Sequence, residues 1–514
     1  MTAFVLVSGT HTGGWVWQEV AGRLRESGAE AYPVTLTGMG DRSHPAGPDT
    51  DLETHVQELV QLIDQVDAPD VVIVGHCYGI YPVLGAADRR PERIARIVSL
   101  DAGLPQDGDT ALTLVPDQAI RDRLLHGAEP GDEPAEDGWQ IPPPPLDEWQ
   151  RWGSVAGIPA DALARLAHLA VPQPTGTLTQ PLRLSGAVSE LPTTGVLCTA
   201  NGSSIALVEA LVRMGDPLLR ALADAGASFF ELDTGHWPML STPDELAGVL
   251  LQAAAGEGHR VARAVCEQPE HSRPFVLDVP ERRRERVGQV DLYLPDDLPD
   301  DVSDADRPRP AVVFVHGGPF PRDARPTPRD WRTFVGYGQY VASLGAVGVT
   351  LDHRLHELAD YGRAAEDVAE AVEFIRADPR VDGERVALWF FSGGGLLSAD
   401  WLAAPPSWLR CVAATYPVLA PLPNWVVVDS RFRPATAVRM AGQLPIVLTR
   451  VGLELPEIAV TVEEFLTAAN DRKANVEIVD VPLGHHGFET IDHTEQARDA
   501  VERAVRSVLG HLRS

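Results

Sequence analysis

Short apolar runs alternate with helical patterns along the whole chain of 514 residues, and the same order of elements occurs twice. Strands, some with the turn that follows, are predicted in the first half at 4–9, 71–74, 94–100, 195–200 and 228–232, and in the second half at 311–318, 345–351, 386–395, 444–449 and 476–481. Apolar positions recur at helical spacing in Leu52, Val56, Leu59, Val60 and Ile63, and again in Val368, Ala371, Val372 and Ile375. Strands that alternate with helices predict mostly parallel sheets with crossover helices.

The domain boundaries follow from chain length and from one break in the pattern. A chain of this length is too long for one hydrophobic core, so two domains are expected. The stretch 256–272 is polar and lacks periodicity. We therefore predict a first domain at 1–258, a linker at 259–272 and a second domain at 273–514. The second domain should open with a hairpin formed by 275–280 and 289–295.

The stretch from 105 to about 190 breaks the alternation within the first domain. It contains the run 142–145 of four prolines, many acidic residues and the tryptophans Trp139, Trp149 and Trp152. Long inserts in compact domains are usually functional loops or caps. We expect this one to form a lid over a site in the first domain.

Composition and charge exclude several classes of function. The formal net charge is −30, with 73 acidic and 43 basic residues, which argues against a nucleic-acid partner. The four cysteines form no CxxC pair, and the histidines form no ligand-spaced pair, so no disulfide framework, metal or other cofactor is predicted. The N-terminal stretch lacks the pattern of a signal peptide, and no apolar run reaches membrane-spanning length. The cytoplasm is the expected compartment, with no membrane partner.

The first candidate site lies where the strand 71–74 ends. Gly75-His76-Cys77-Tyr78-Gly79 has the spacing of the nucleophile elbow G-x-S-x-G, with cysteine in place of serine. Cys77 is the expected nucleophile, because a helix N-terminus and a nearby histidine lower the pKa of a thiol. His236, on a glycine-bearing loop after the last strand, is the expected base. The backbone N–H groups of Thr10 and Tyr78 are the expected oxyanion donors.

Two residues compete to orient His236. Asn201 follows the strand 195–200, whereas Asp101 ends the strand 94–100. We favour Asp101 slightly, because a carboxylate stabilises an imidazolium better than an amide does. Both assignments stay open at the level of the sequence.

Several motifs make residues 1–258 similar to bacterial members of the plant-type methylesterase and hydroxynitrile-lyase branch of α/β-hydrolases. The matching stretches are SGTHTGGWVW (8–17), TLTGMGDRS (35–43), GHCYG (75–79), SLDAGLPQDGD (99–109) and TGHWP (234–238). The chain departs from that branch where the first-loop histidine is Ser8, the serine is Cys77 and the acid is Asn201. Its cysteine also resembles the nucleophile of thioesterase-like enzymes that perform Dieckmann cyclisation in natural-product biosynthesis.

From about residue 275 to its end, the chain resembles the dienelactone-hydrolase and prolyl-oligopeptidase-like esterases. The resemblance assigns Ser392, in FFSGG (390–394), as nucleophile, His486 as base and Glu454 as acid. The loop HGGP (316–319) would supply an oxyanion donor near Gly318, and Gly393 would supply the second. Phe390 stands where the first glycine of the elbow is expected, and its ring is expected to crowd the turn.

Together these observations predict two tandem α/β-hydrolase domains, each with a doubly wound sheet. The expected function is acyl transfer on an ester or thioester carbonyl, ending in hydrolysis or in intramolecular acyl transfer. A Dieckmann-type cyclase or thioesterase of secondary metabolism is the alternative among enzymes. A non-catalytic scaffold is the alternative of another class. The expected partner is a small-molecule or carrier-bound acyl substrate, and the sequence leaves a homo-oligomer open.

Overall fold

The computed structural model divides the chain into two compact units, Met1–Val265 and Cys266–Ser514. It describes residues 2–117, 120–121, 123–124, 139–214, 216–261, 272–296, 308–322 and 324–513. Each unit has its own sheet and its own apolar core on both faces of that sheet.

The first unit is built on a mostly parallel sheet. Its strands and those of a small separate sheet are β1 (Thr2–Val7), β2 (Glu30–Val34), β3 (Asp70–His76), β4 (Ile94–Leu100), β5 (Gln140–Ile141), β6 (Gln173–Pro174), β7 (Thr193–Cys198), β8 (Ser228–Leu232) and β9 (His259–Arg260). The main sheet has the order β2-β1-β3-β4-β7-β8-β9, and only β9 is antiparallel to its neighbour. Strands β5 and β6 pair with each other.

Helices cover both faces of this sheet. The α-helices are Gln18–Glu26, Leu52–Gln65, Ile80–Arg89, Ala160–Leu169, Gly176–Thr179, Ile205–Met214, Pro217–Asp224, Pro238–Ser241 and Pro243–Ala254. The 3-10 helices are Gly14–Trp17, Gly40–Arg42, Cys77–Gly79, Pro91–Arg93, Ala111–Leu114, Leu146–Arg151, Ala187–Glu190 and Thr199–Asn201. The helix Leu52–Gln65 begins where the Asp51 carboxylate accepts the Thr54 N–H, and its apolar side packs in one of the two cores.

The second unit has an eight-stranded sheet in the described part of the chain. Its strands are β10 (Arg283–Val287), β11 (Val290–Leu294), β12 (Arg309–Val315), β13 (Val347–Leu351), β14 (Val381–Phe391), β15 (Leu409–Thr415), β16 (Ile446–Leu453) and β17 (Val476–His485). The order is β10-β11-β13-β12-β14-β15-β16-β17. Pairing is antiparallel from β10 to β13 and parallel elsewhere, so the carboxyl ends of the central strands lie at one edge of the sheet.

The helices of the second unit follow the same arrangement. The α-helices are Arg332–Ser343, Tyr361–Arg376, Ala399–Ala403, Pro434–Ala437, Pro456–Arg472, Phe488–Ile491 and Glu495–Arg513. The 3-10 helices are Pro328–Asp330, Leu358–Asp360, Ser392–Ser398 and Val438–Met440. None of the helices in the described ranges of either unit combines the length and the apolar character needed to cross a bilayer.

The opening hairpin of the second unit differs from the sequence prediction. Residues 275–280 form no strand, and the partner of β11 is β10, which starts at Arg283. The reason is electrostatic, because Arg284 and Arg286 of β10 both bind the fully buried side chain of Asp291 on β11. Val276 instead packs in the core against helices and strands of this unit.

The first sheet runs past the predicted domain boundary, and the predicted lid lies only partly within the described residues. In β9, His259 pairs with Phe229 and Arg260 pairs with Ser228, so the first sheet extends two residues past the predicted boundary at 258. The rest of the predicted linker, 262–271, lies outside the described residues. Within the predicted lid, residues 118–119, 122 and 125–138 also lie outside them. The described part of the insertion consists of short helices and the small β5–β6 sheet.

Candidate active sites

Cys77 sits on a sharp turn between β3 and the helix that follows. Its φ is 51°, in the left-handed region that side chains other than glycine rarely adopt. Two glycines allow this turn. A Cβ added at Gly75 would lie 2.6 Å from the Ile80 Cα, and one added at Gly79 would lie 2.7 Å from the Ser8 carbonyl oxygen. The elbow geometry expected from the motif is therefore present with cysteine at its tip.

His236 joins Cys77 to Asp101. The His236 Nδ1–H donates to Asp101 Oδ2 at 2.7 Å, and the same imidazole hydrogen-bonds the Cys77 sulfur. All three side chains are buried. Asp101 directly follows β4, and its φ of 45° turns the carboxylate toward the loop that carries His236. The structure thus brings together the nucleophile, the base and the favoured orienting acid.

Asn201 lies beside this trio without replacing Asp101. Its amide Nδ2 donates to Asp101 Oδ2 at 2.7 Å and lies 3.3 Å from His236 Nδ1. Both nitrogens donate to the same carboxylate oxygen at 2.7 Å, so the orienting contact of His236 is its bond to Asp101 and not the longer approach of Asn201. The Asn201 Oδ1 accepts the Ser154 N–H at 2.8 Å. Asn201 therefore links the acid to the inserted segment.

The electrostatics of the pair favour a charged thiolate and imidazolium. Burial alone would raise the pKa of the Cys77 thiol, but His236 and two backbone N–H groups lower that pKa below its usual value. Burial likewise opposes the charged form of His236, yet the Cys77 thiolate and Asp101 raise its pKa to about 10. A thiolate is the reactive form of cysteine, so the contact with His236 shifts the Cys77 thiol toward the form that a nucleophile requires.

The predicted oxyanion donors lie at the nucleophile. The backbone N–H groups of Thr10 and Tyr78 both hydrogen-bond the Cys77 sulfur. The Tyr78 hydroxyl donates to His55 Nδ1 at 2.7 Å. The His55 Nε2–H in turn donates to the Thr37 carbonyl at 2.7 Å. This buried chain holds the backbone of the elbow in place.

The inserted segment contributes contacts to the base that the sequence did not indicate. The His236 N–H donates to the Ser154 carbonyl at 2.7 Å. A Cβ added at Gly153 would lie 2.6 Å from both Cβ and Cγ of His236. His76, inside the elbow motif, donates from Nε2 to the His236 carbonyl at 2.7 Å. No periodic pattern marks Gly153 or Ser154, so only the path of the folded chain reveals them.

Ser392 occupies a second elbow of the same shape. Its φ is also 51°, and it follows directly after β14. Phe390, two residues earlier, is fully buried in the apolar core, with Val315 and Ala414 as its neighbours across the sheet. The expectation that this ring crowds the turn is wrong, because the side chain enters the core and leaves the turn intact.

Ser392, His486 and Glu454 form a complete hydrogen-bonded triad. The Ser392 Oγ lies 2.7 Å from His486 Nε2, and the His486 Nδ1–H donates to Glu454 at 2.9 and 3.0 Å. The Leu455 N–H donates to Glu454 Oε1 at 2.8 Å and fixes the carboxylate. The neighbouring His485 is half exposed and bonds Asp492, so it takes no part in the triad.

The loop before the second elbow packs tightly against the nucleophile. A Cβ added at Gly317 would lie 2.9 Å from the Ser392 Cβ, and one added at Gly393 would lie 2.1 Å from the Gly318 carbonyl oxygen. Gly318 and Gly393, the predicted oxyanion residues, are therefore neighbours in space. The Tyr361 hydroxyl donates to the Gly393 carbonyl at 2.9 Å.

Buried groups that the sequence did not indicate support the second site. His316 stacks on His353 with ring centroids 3.6 Å apart, and burial lowers the pKa of His353 to about 4. Tyr416 lies 4.6 Å from the His486 ring, centroid to centroid. The described residues contain no group of three His, Cys, Asp or Glu that could hold a metal ion. The absence of a cofactor stays a prediction.

Comparisons with known proteins show which family the chain resembles. The Alpha/beta hydrolase family model matches residues 4–249, and the BD-FAE model matches residues 290–403. A carbendazim hydrolyzing esterase from Nocardioides sp. (strain SG-4G) is 29% identical over 250 residues, covering 48% of this chain and 97% of that protein. Lipase LipV of Mycobacterium tuberculosis is 30% identical over 255 residues, covering 48% of this chain and 90% of that protein. Among solved structures, a methylesterase protein from Arabidopsis, MES16, aligns at 18% identity with a TM-score of 0.39, covering 50% of this chain and all of that one. The chain therefore belongs to the α/β-hydrolase family and is an enzyme of the hydrolase type.

Proposed function

We propose that the chain transfers acyl groups at two separate sites, one with a cysteine nucleophile and one with a serine nucleophile. The observation that carries the proposal for the first unit is the position of His236, which hydrogen-bonds the Cys77 sulfur and the Asp101 carboxylate together. The same arrangement of Ser392, His486 and Glu454 supports it for the second unit. In each unit a nucleophile, a base and an acid stand in the order that acyl transfer requires.

The first half-reaction at Cys77 forms a thioester. The thiolate attacks the carbonyl carbon, a C–S bond forms, and the carbonyl electron pair moves onto oxygen. The N–H groups of Thr10 and Tyr78 stabilise the resulting oxyanion. When the tetrahedral intermediate collapses, the bond to the leaving group breaks and the His236 imidazolium gives that group its proton.

The second half-reaction releases the acyl group. His236, now neutral, takes a proton from the attacking water, which adds to the thioester carbonyl. Collapse breaks the C–S bond and restores the thiolate and imidazolium, with the acid as product. An amine or carbon nucleophile within the acyl group would give a cyclic product by the same steps, and thioesters react well with such nucleophiles. This is what favours cyclisation as the second candidate reaction.

The second site would follow the serine version of these steps. The His486 Nε2 takes the Ser392 proton as the hydroxyl attacks, and Glu454 stabilises the imidazolium. Backbone N–H groups of Gly318 and Gly393 would bind the oxyanion. Because several relatives are named for ester hydrolysis, we propose carboxylic esters as the substrate class here and esters or thioesters at Cys77. A reactive thiolate suits a reducing compartment such as the predicted cytoplasm.

Selective labelling tests both nucleophiles in the full chain. A fluorophosphonate should add once to the protein, and Ser392→Ala should abolish that addition while Cys77→Ala leaves it unchanged. Iodoacetamide should modify Cys77 faster than Cys198 or Cys411, which are buried and whose thiol pKa values burial raises. Intact mass and peptide mapping provide the readout. Failure of the folded protein to react at either residue would overturn the proposal.

A matched pair of histidine variants tests the base of the second site. In the Cys77→Ala chain, where only the second site can act, His486→Gln should lower fluorophosphonate labelling and ester hydrolysis by about 10³-fold or more, because it removes the general base. His485→Gln changes the adjacent residue, which bonds Asp492 instead, and should leave both rates within about twofold. Equal losses in the two variants would contradict the assignment of His486.

A further inference from the structure

The loop after β1 holds a buried histidine with one ring nitrogen that has no partner. His11 is 1% exposed, and its Nδ1–H donates to the Val171 carbonyl at 3.0 Å. Its Nε2 is buried and makes no hydrogen bond to any described residue. Buried polar atoms of proteins are nearly always paired, so an orphaned nitrogen indicates a missing partner.

The inserted segment holds His11 in a fixed and unusual backbone conformation. Its φ is 61°, in the left-handed region. The His11 N–H donates to the Gln173 side chain at 3.1 Å, and its carbonyl accepts the Val171 N–H at 3.0 Å. Gln173 is itself fully buried and donates to Thr177 at 3.0 Å. These bonds fix the backbone of His11, and the bond from Nδ1 to the Val171 carbonyl fixes the orientation of the ring.

His11 is placed next to the reacting groups of the first unit. The preceding residue, Thr10, gives its N–H to the Cys77 sulfur. The His11 ring meets Trp152 edge to face with centroids 4.7 Å apart, and the next residue, Gly153, packs directly on His236. His11 thus contacts the same short segment as the base and adjoins one oxyanion donor.

The chemistry of Nε2 defines what would bind it. Burial lowers the pKa of His11 to about 4, although the hydrogen bond to Val171 opposes this, so the ring is neutral. Because Nδ1 carries the proton that bonds the Val171 carbonyl, Nε2 presents a lone pair. Such an atom accepts a hydrogen bond and repels an anion.

We propose that His11 Nε2 accepts a hydrogen bond from the substrate at Cys77, so that this site selects acyl groups carrying an O–H or N–H donor near the carbonyl. Hydroxyacyl and amidoacyl esters or thioesters are the substrate class. The inference rests on the proposed role of Cys77 as nucleophile. His11 then determines specificity, because a site built around a hydrogen bond rejects the analogue that lacks the donor.

Acylation of Cys77 by two matched thioesters tests the proposal. The probes are the S-phenyl thioesters of hydroxyacetic acid and propanoic acid, which differ by a hydroxyl in place of a methyl group. The full chain with Ser392→Ala is used so that only Cys77 reacts, and intact mass follows the rate. Each rate is divided by that of N-acetylcysteine with the same probe, which removes the difference in intrinsic reactivity.

We expect hydroxyacetylation to exceed propanoylation at least tenfold in the Ser392→Ala chain. His11→Phe should reduce this preference to within twofold by slowing the hydroxyacetyl probe alone, and His11→Gln should restore part of it through its amide oxygen. His168→Phe, at an exposed position of the helix Ala160–Leu169, is the control and should leave the preference unchanged.

Two other outcomes are distinguishable. A preference near one in the Ser392→Ala chain, with both probes acylating Cys77, would overturn the role of His11 and leave the nucleophile intact. No acylation by either probe would overturn the proposed function itself, and this inference with it. Thermal melting identifies any His11 variant that fails to fold. In that case the ratio of the two acylation rates in the Ser392→Ala chain still tests the proposal, because a ratio near one overturns it.

Discussion

At the residue scale, two hydrogen bonds to Asp101 Oδ2, one from His236 Nδ1 and one from Asn201 Nδ2, organise the first site. Sequence reasoning found both Asp101 and Asn201 but could not rank them firmly, because two residues 100 positions apart can orient the same histidine. The structure ranks them by geometry, since the carboxylate lies 2.7 Å from His236 Nδ1 and the amide bonds the carboxylate.

This ranking predicts unequal losses in two variants. In the Ser392→Ala chain, Asp101→Asn should lower the rate of Cys77 acylation by roughly 10²–10⁴-fold, because an amide cannot stabilise the imidazolium and favours the wrong tautomer. Asn201→Ala should cost about tenfold or less, the effect of one neutral hydrogen bond. Single-turnover acylation followed by mass gives both numbers, and a larger loss for Asn201→Ala would reverse the assignment.

The charged pair also predicts a pH profile. Because His236 lowers the pKa of Cys77, iodoacetamide should alkylate this thiol with a midpoint below about 8.5, the value of an ordinary cysteine. His236→Ala removes the opposite charge and leaves burial, which raises the pKa, so the midpoint should move upward. The measurement is the alkylation rate against pH, and an unmoved midpoint would contradict the ion pair.

At the element scale, the two elbows reach one geometry with different side chains. Cys77 and Ser392 share a φ of 51°, although glycine stands two residues before the first and phenylalanine before the second. Apolar runs and glycines predicted both strand–turn–helix units from the sequence. The direction of Phe390 into the core depends on packing across the sheet, which no local pattern encodes.

Gly75 and Phe390 occupy the same position in the two elbows, and replacing each by alanine should affect reactivity in the first unit and stability in the second. Gly75→Ala places a Cβ 2.6 Å from the Ile80 backbone, so we expect Cys77 alkylation to fall by about 10²-fold. Phe390→Ala leaves a cavity and should destabilise the second unit by about 3–5 kcal/mol without blocking fluorophosphonate labelling at low temperature. Calorimetry and labelling separate the two, and an active, stable Gly75→Ala protein would contradict the account of the elbow.

The contact between the inserted segment and His236 gives a further prediction at this scale. Gly153→Ala would push on His236 from a distance of 2.6 Å, and we expect Cys77 acylation to drop by about 10²-fold. Gly103→Ala is the control, because a Cβ there meets nothing within 4 Å. Fluorophosphonate labelling of Ser392 should stay unchanged in both. If Gly153→Ala acylates at the rate of the control, the contact has no role in positioning the base.

At the scale of the whole molecule, the sequence predicted two α/β units and every member of the serine triad. The alternation of strands and helices follows from the periodicity of apolar residues, whereas the triad was assigned through the resemblance to known esterases and the strand order was not predicted. Contacts made by 139–177 could not be predicted, because that stretch lacks a regular pattern and its partners are distant in the chain, 47 residues for Ser154 and Asn201 and 160 for His11 and Val171. His11 escaped notice for the same reason.

One consequence concerns engineering of the first unit. Residues 153–154 contact His236 and Asn201, and 171–173 hydrogen-bond the loop that carries Thr10 and His11, so the inserted segment is built into the candidate site. A chimera that replaces the inserted segment with one from another protein, in order to change substrate selectivity, would also lose these contacts to the candidate site. We expect such a chimera to keep its activity only if 153–154 and 171–173 are retained with their native spacing.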